Sequence, residues 1–189
     1  MKTAASVGDP IDSTKVDLKE NPEADPFSVA RKIALRQLSM APKSRLQLEE
    51  SLAKRKVAPE VAGPVLDRLT EVGLIDDLAY AGMFVRSRCL TKKVSRSVLK
   101  MELRKKGISD EFIETALGEI SETDEYQMAT DLVIKKLRAM KNLERDVMQR
   151  RLYGLLARKG YQAGIATRVI REQLNDHEFL EDLAAQNLA

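Results

Sequence analysis

From Phe27 onward apolar side chains recur at intervals of three and four, from Val29 to Ile33 and from Leu35 to Leu38. That spacing starts an α-helix, and Asp25-Pro26 supplies an N-cap followed by a proline at the first helical position. Ser44-x-x-Gln47 is a capping-box pattern opening a segment in which Leu48 and Leu52 are i, i+4 neighbours. Pro59 can start the next helix, or Gly63-Pro64 can kink it or delay its start to Pro64; the pattern leaves both open. Gly73 ends that helix, and Asp76-Asp77 cap a following one from Leu78 to about Leu90. Gly107 follows Arg104-Lys105-Lys106 and Gly160 follows Arg158-Lys159, each a glycine just past a basic last turn, and Ser109-Asp110-Glu111 caps the helix after the first of them. No β-branched alternation of strand length stands beside these patterns, so an all-α chain is expected.

The helical pattern repeats. A shift of 51 places Ser44 on Ser95, Arg45 on Arg96, Leu48 on Leu99, Leu52 on Leu103, Val57 on Ile108, Glu60 on Glu111 and Leu66 on Leu117. A further shift of 53 places Leu99 on Leu152, Leu103 on Leu156, Gly107 on Gly160, Phe112 on Ile165 and Leu117 on Ile170. Lys56 stands where the other two copies have Gly107 and Gly160, so the first copy needs another way to end its helix. A unit of about fifty residues has too little core to be stable alone and must stack on its neighbours. The expected architecture is three tandem three-helix repeats, at 25–75, 76–121 and 122–176, forming an elongated, curved body, with an acidic flexible tail at 1–24 and a C-terminal tail at 177–189.

Composition narrows the function. The 189 residues include one His, one Cys and no Trp, which leaves little for zinc sites, histidine triads or thiol catalysis. Neither a P-loop nor a dinucleotide-binding glycine pattern is present, so no cofactor is expected and an enzyme ranks last. Asp76 and Asp77 form a carboxylate pair, but adjacent residues diverge on a helix and capping already accounts for them. His177 reads as a surface residue near the end of the last helix, and Cys89 as a small core residue biased by neighbouring Arg88. No apolar run approaches the ~18 residues of a membrane span, and no secretory leader is evident. With a lone thiol, a soluble cytoplasmic monomer is the expectation.

Net charge is +3, yet residues 1–30, 31–106 and 107–189 carry −3, +10 and −4. Between Arg86 and Lys106 nine bases (Arg86, Arg88, Lys92, Lys93, Arg96, Lys100, Arg104, Lys105 and Lys106) face a single acid, Glu102. Such a segment repels itself, and an anionic partner would relieve that repulsion. Lys54, Arg55 and Lys56 form the equivalent basic turn of the first repeat. Tyr80, Phe84, Phe112, Tyr126, Tyr153 and Tyr161 fall at core positions, so contact is expected with phosphate or protein rather than with stacked bases.

The stretch Gly73-Leu74-Ile75-Asp76-Asp77-Leu78-Ala79-Tyr80-Ala81-Gly82-Met83-Phe84-Val85-Arg86-Ser87-Arg88 resembles the signature of the RecX regulatory proteins. Ser95-Arg96-Ser97-Val98-Leu99-Lys100-Met101-Glu102-Leu103-Arg104-Lys105-Lys106-Gly107-Ile108 is similar to the same family, and the likeness spans about residues 28–174. The resemblance implies tandem three-helix units without enzymatic activity. It also implies a partner, the RecA recombinase and its filament on single-stranded DNA, with inhibition of ATP hydrolysis, strand exchange and coprotease activity in DNA repair and the SOS response. The twelve basic residues named above are the expected contact surface. Two other classes stand beside this one: a nucleic-acid-binding helical repeat that contacts DNA directly without a protein partner, and a helical scaffold that grips a peptide.

Overall fold

The computed structural model describes residues 25–140 and 143–186, with side chains through Asp176. Among them are nine helices and no strand: α1 (Pro26–Met40), α2 (Arg45–Lys54), α3 (Pro59–Glu71), α4 (Asp77–Thr91), α5 (Arg96–Arg104), α6 (Asp110–Gly118), α7 (Glu122–Leu137), α8 (Arg145–Arg158) and α9 (Ala163–Gln186). The chain is therefore all-α with three tandem helical repeats, α1–α3, α4–α6 and α7–α9. The tail at 1–24 lies outside the described residues, as do His177 and the other side chains of 177–189. The backbone of α9 nonetheless stays helical to Gln186, past position 176 where the periodicity closes the third repeat.

The expected caps are in place. Asp25 accepts the N–H groups of Phe27 and Ser28, Asp76 accepts that of Ala79, and Ser109 that of Phe112. Ser44 and Gln47 form the reciprocal box, Gln47 N–H donating to Ser44 Oγ and Ser44 N–H to Gln47 Oε1. The ambiguity at α3 is settled in favour of Pro59 at N1, with Pro64 inside a continuous helix. Lys56 ends its helix without a glycine: it takes the left-handed conformation itself, at φ 60°, where Gly107 and Gly160 sit at 77° and 81°.

Among the described residues two compact units form, one of residues 25–42 with Leu48–Leu74, the other of Lys43–Gln47 with the described residues from Ile75 onward. The first buries Ala30, Ile33 and Ala34 of α1, Leu48 and Leu52 of α2, and Ala62, Val65, Leu66 and Leu69 of α3. The second has two apolar clusters. One joins Tyr80, Phe84 and Val85 of α4 to Leu99 and Leu103 of α5 and Ile113 and Leu117 of α6. The other joins Val133 and Leu137 of α7 to Leu152 and Leu156 of α8 and Val169 and Ile170 of α9. The i, i+4 leucine pair found by the repeat shifts, Leu48/Leu52, Leu99/Leu103 and Leu152/Leu156, is at most 1% exposed in all three copies. At roughly 25 cal/mol per Å² of apolar surface, burying such a pair contributes several kcal/mol per repeat, which fixes each second helix in place.

Candidate partner-binding surface

Two joints at corresponding positions organise the second unit. Ser44 and Ser95, buried at the starts of α2 and α5, are their centres. Ser44 Oγ donates to the carbonyl of Lys106 at 2.7 Å, and Ser95 N–H donates to the carbonyl of Lys159 at 3.0 Å. Beside them, Arg45 N–H donates to Asp77 Oδ1 at 2.9 Å and Arg96 N–H to Glu125 Oε1 at 3.1 Å. A carboxylate from the first turn of a following repeat thus supplies an acceptor to a helix N-terminus whose N–H groups have none within the helix. Gly107 and Gly160 must be glycine for a further reason: a Cβ would lie 2.5 Å from Leu46 Cβ at one joint and 2.4 Å from Val98 Cγ2 at the other. The carboxylate pair Asp76 and Asp77 is occupied in these two roles, one capping α4 and the other in the joint.

The second joint also shapes the basic turn between α4 and α5. Tyr161 Oη donates to the carbonyl of Lys93 at 2.8 Å, and Lys159 Nζ donates to that of Lys92 at 2.6 Å. Ser97 Oγ donates to the carbonyl of Gly160 at 2.9 Å. Lys93 is held at φ 46°, a left-handed conformation unusual for a residue with a Cβ.

Nine of the twelve expected contact residues, Arg86 to Lys106, lie in the second unit, and five of these face carboxylates. Arg86 pairs with Glu119 at 3.3 Å and Arg88 with Glu102 at 2.8 Å. Lys93 pairs with Asp131 and Lys100 with Glu114. Arg104 grips Asp110 through two bonds, at 2.7 and 3.0 Å, and this holds the Asp110 carboxyl below the usual carboxylate range. The Asp131 carboxyl is lowered likewise, first by Lys93 and then by Gln127. Four of these five acids come from α6 and α7 or the turns beside them, so a count confined to the segment itself overstates its free charge.

Lys92, Arg96, Lys105 and Lys106 have no ion pair among the described residues. The Lys106 ammonium lies 5.4 Å from the centroid of the Phe84 ring, whose other near cation, Arg88, is at 4.7 Å. In the first unit Lys54, Arg55 and Lys56 are exposed, and Arg55 turns back to the Ser51 carbonyl and hydroxyl.

Cys89 is half-buried, and burial, with Asp124 and Glu125 adding to it, pushes its thiol up. The bias expected from Arg88 is not what dominates there, because that guanidinium is turned to Phe84 and Glu102. Tyr80, Phe84 and Tyr161 are core residues, as their spacing implies; Tyr126 is partly exposed, its hydroxyl on Glu172 and Arg168 over its ring at 5.0 Å. A cleft of about 720 Å³ opens there, bounded by Arg96, Glu122, Glu125, Tyr126 and Arg168. Its two cations and two carboxylates balance, so it offers no net charge to an ion. Among the described residues no cluster of His, Cys, Asp and Glu could hold a metal ion, and no helix is long and apolar enough to cross a membrane.

Comparison with known proteins matches each repeat in turn. The family models described as the first, second and third three-helix domains of RecX match residues 30–69, 76–117 and 122–170. A regulatory protein RecX from Streptomyces coelicolor is 43% identical over 176 residues, covering 93% of both chains. One from Mycolicibacterium smegmatis is 44% identical over 154 residues, covering 79% of this chain and 82% of the relative. The crystal structure of RecX from Lactobacillus salivarius superposes with a TM-score of 0.70 at 26% identity, over 78% of this chain and 96% of that one. With its three modules in the family's order and relatives of this identity along most of its length, the chain belongs to the RecX family of regulatory proteins.

Proposed function

We propose that this protein regulates the RecA recombinase, binding RecA and its filament on single-stranded DNA and limiting ATP hydrolysis, strand exchange and coprotease activity. By that route it would restrain recombinational repair and the SOS response. The observation that carries the reading is the match of all three repeats, in order, to the RecX modules. The charge distribution supports it: the turn at Lys92 and the end of α5 at Lys105 and Lys106 keep cations without carboxylate partners among the described residues. Such groups attract a polyanion-bearing polymer at a distance and lose that attraction as salt screens them. The energy of association would come from this field together with apolar contact, and no bond chemistry is involved.

The test is the single-strand-dependent ATPase of RecA with and without the protein. Dose-dependent inhibition is expected, and it should weaken in the charge-reversed variant Lys92→Glu/Lys93→Glu/Arg96→Glu with helical content retained. Unaltered hydrolysis across a concentration series would overturn the reading.

A further inference from the structure

The positions that meet at the joint over the start of α5 have sequence counterparts on α8. With the offset of 53 that aligns the second and third repeats, Ser97 and Val98 correspond to Arg150 and Arg151, and Lys105 to Arg158. In the second repeat Ser97 bonds Gly160, and Val98 lies where a Cβ on Gly160 would collide. In the third repeat the same two positions are exposed guanidinium groups. A terminal repeat needs a polar outer face, which charges of either sign would supply. On α8 it is mainly cationic, with Arg150, Arg151 and Arg158 exposed against Asp146 in the first turn and Glu144 at the N-cap.

Between Asp131 and Gly160 there are nine Lys and Arg residues against two acids, Glu144 and Asp146, an excess that the net −4 of residues 107–189 conceals. Lys135, Lys136 and Arg138 near the end of α7, and Arg150, Arg151 and Arg158 on α8, are exposed and have no ion pair among the described residues. The buried stripe of α8 is Met148, Leu152 and Leu156. On one flank of it Tyr153 bonds Thr167 of α9 at 3.0 Å. Arg151 and Arg158, seven residues and therefore about 10 Å apart along the axis, fall on the other flank. Gly154 lies between them, and the Arg158 guanidinium rests over it, 3.3 Å from where a Cβ would stand. The next residue, Lys159, donates to the Lys92 carbonyl, so α8 ends against the basic turn.

We infer that the solvent side of α8, with Arg151 and Arg158 on this flank and Arg150 further round on the face opposite the buried stripe, is a binding surface for the phosphodiester backbone of single-stranded nucleic acid. It lies outside the Arg86–Lys106 segment and adjoins it where Lys159 meets the Lys92 carbonyl. Guanidinium forks match phosphate oxygens in a way that ammonium groups do not. The aromatic ring nearest this flank in sequence, Tyr153, is engaged by Thr167, so the contact is to backbone and indifferent to base sequence. The choice of a DNA partner rests on the proposed function; the existence of an anion-binding surface does not.

The experiment titrates the full chain against labelled oligothymidylate, without RecA, from 50 to 200 mM salt. Arg150→Gln/Arg151→Gln/Arg158→Gln should flatten the slope of log affinity against log salt by about 2, since each lost phosphate contact on a single strand removes about 0.7. The corresponding triple Lys variant should restore most of the slope, which separates lost charge from a damaged fold, and Arg68→Gln on α3 should leave it unchanged. An unchanged slope in the Gln variant overturns the assignment. Equal competition by polyglutamate of the same charge also overturns it, in favour of an acidic protein partner, as does a duplex bound more tightly than the single strand. The two readings fail separately: RecA inhibition with an unchanged slope removes this surface alone, and the expected slope with no effect on RecA removes the proposed function alone.

Discussion

The hydroxyl of Tyr161 donates to the carbonyl of Lys93 at 2.8 Å, so a residue just past α8 holds the backbone of the turn between α4 and α5. At the corresponding positions of the other repeats stand Ile108 and Val57, which have no hydroxyl to give. Tyr161→Phe removes only that oxygen. A loss of about 1 kcal/mol is expected in urea unfolding, the net worth of a part-buried hydrogen bond, with inhibition of RecA weakened further than that stability loss alone would produce.

The same phenol gives an alkaline signature. Burial pushes Tyr161 well above its ordinary value, followed in effect by Glu125. The folded state therefore holds this proton more tightly than the unfolded chain, whose phenol titrates near 10. Its contribution is complete below about pH 10 and is lost as pH rises from there toward the folded value. Unfolding measured from pH 8 to 11 should show stability falling at the alkaline end, and less steeply in Tyr161→Phe.

One turn position gives opposite outcomes in two repeats. Gly160→Ala adds a Cβ 2.4 Å from Val98 Cγ2 at a φ of 81° and should destabilise by about 2 kcal/mol or more. Lys56→Gly relieves a left-handed residue with a Cβ at φ 60° and should stabilise by about 1 kcal/mol, because αL costs an L-residue about 1–2 kcal/mol. Thermal melts of both variants check the signs.

Much of this was legible in the chain. The Ser44/Gln47 box, the leucine pairs and the glycines at 107 and 160 are local or periodic features, and each sits where its spacing indicates. The state of the basic segment was not, because Lys100–Glu114, Arg86–Glu119 and Lys93–Asp131 join residues 14, 33 and 38 apart, and only the packing of the helices brings them together. The third repeat's cations were hidden for the converse reason: Asp110, Glu114, Glu119 and Asp131 were summed with them, although those acids pair with the second repeat's bases.

That pairing has its own consequence. Glu114→Gln and Asp110→Asn free Lys100 and Arg104 from exposed pairs and should tighten binding to polyanions by about two- to fivefold, in line with the 0.2–1 kcal/mol of such pairs. Measured affinity for heparin or single-stranded DNA at fixed salt decides it; unchanged or weaker binding would show that those acids do not restrain the surface.

Direct binding tests the choice of partner. Association should be measured side by side on immobilised single-stranded DNA alone and on the same DNA coated with RecA held by a non-hydrolysable nucleotide. At physiological salt the protein should bind the RecA-coated strand at least tenfold more tightly than the bare one. Equal affinity for the two, or preference for bare DNA, would contradict a RecA-filament regulator and leave a nucleic-acid-binding helical repeat in its place.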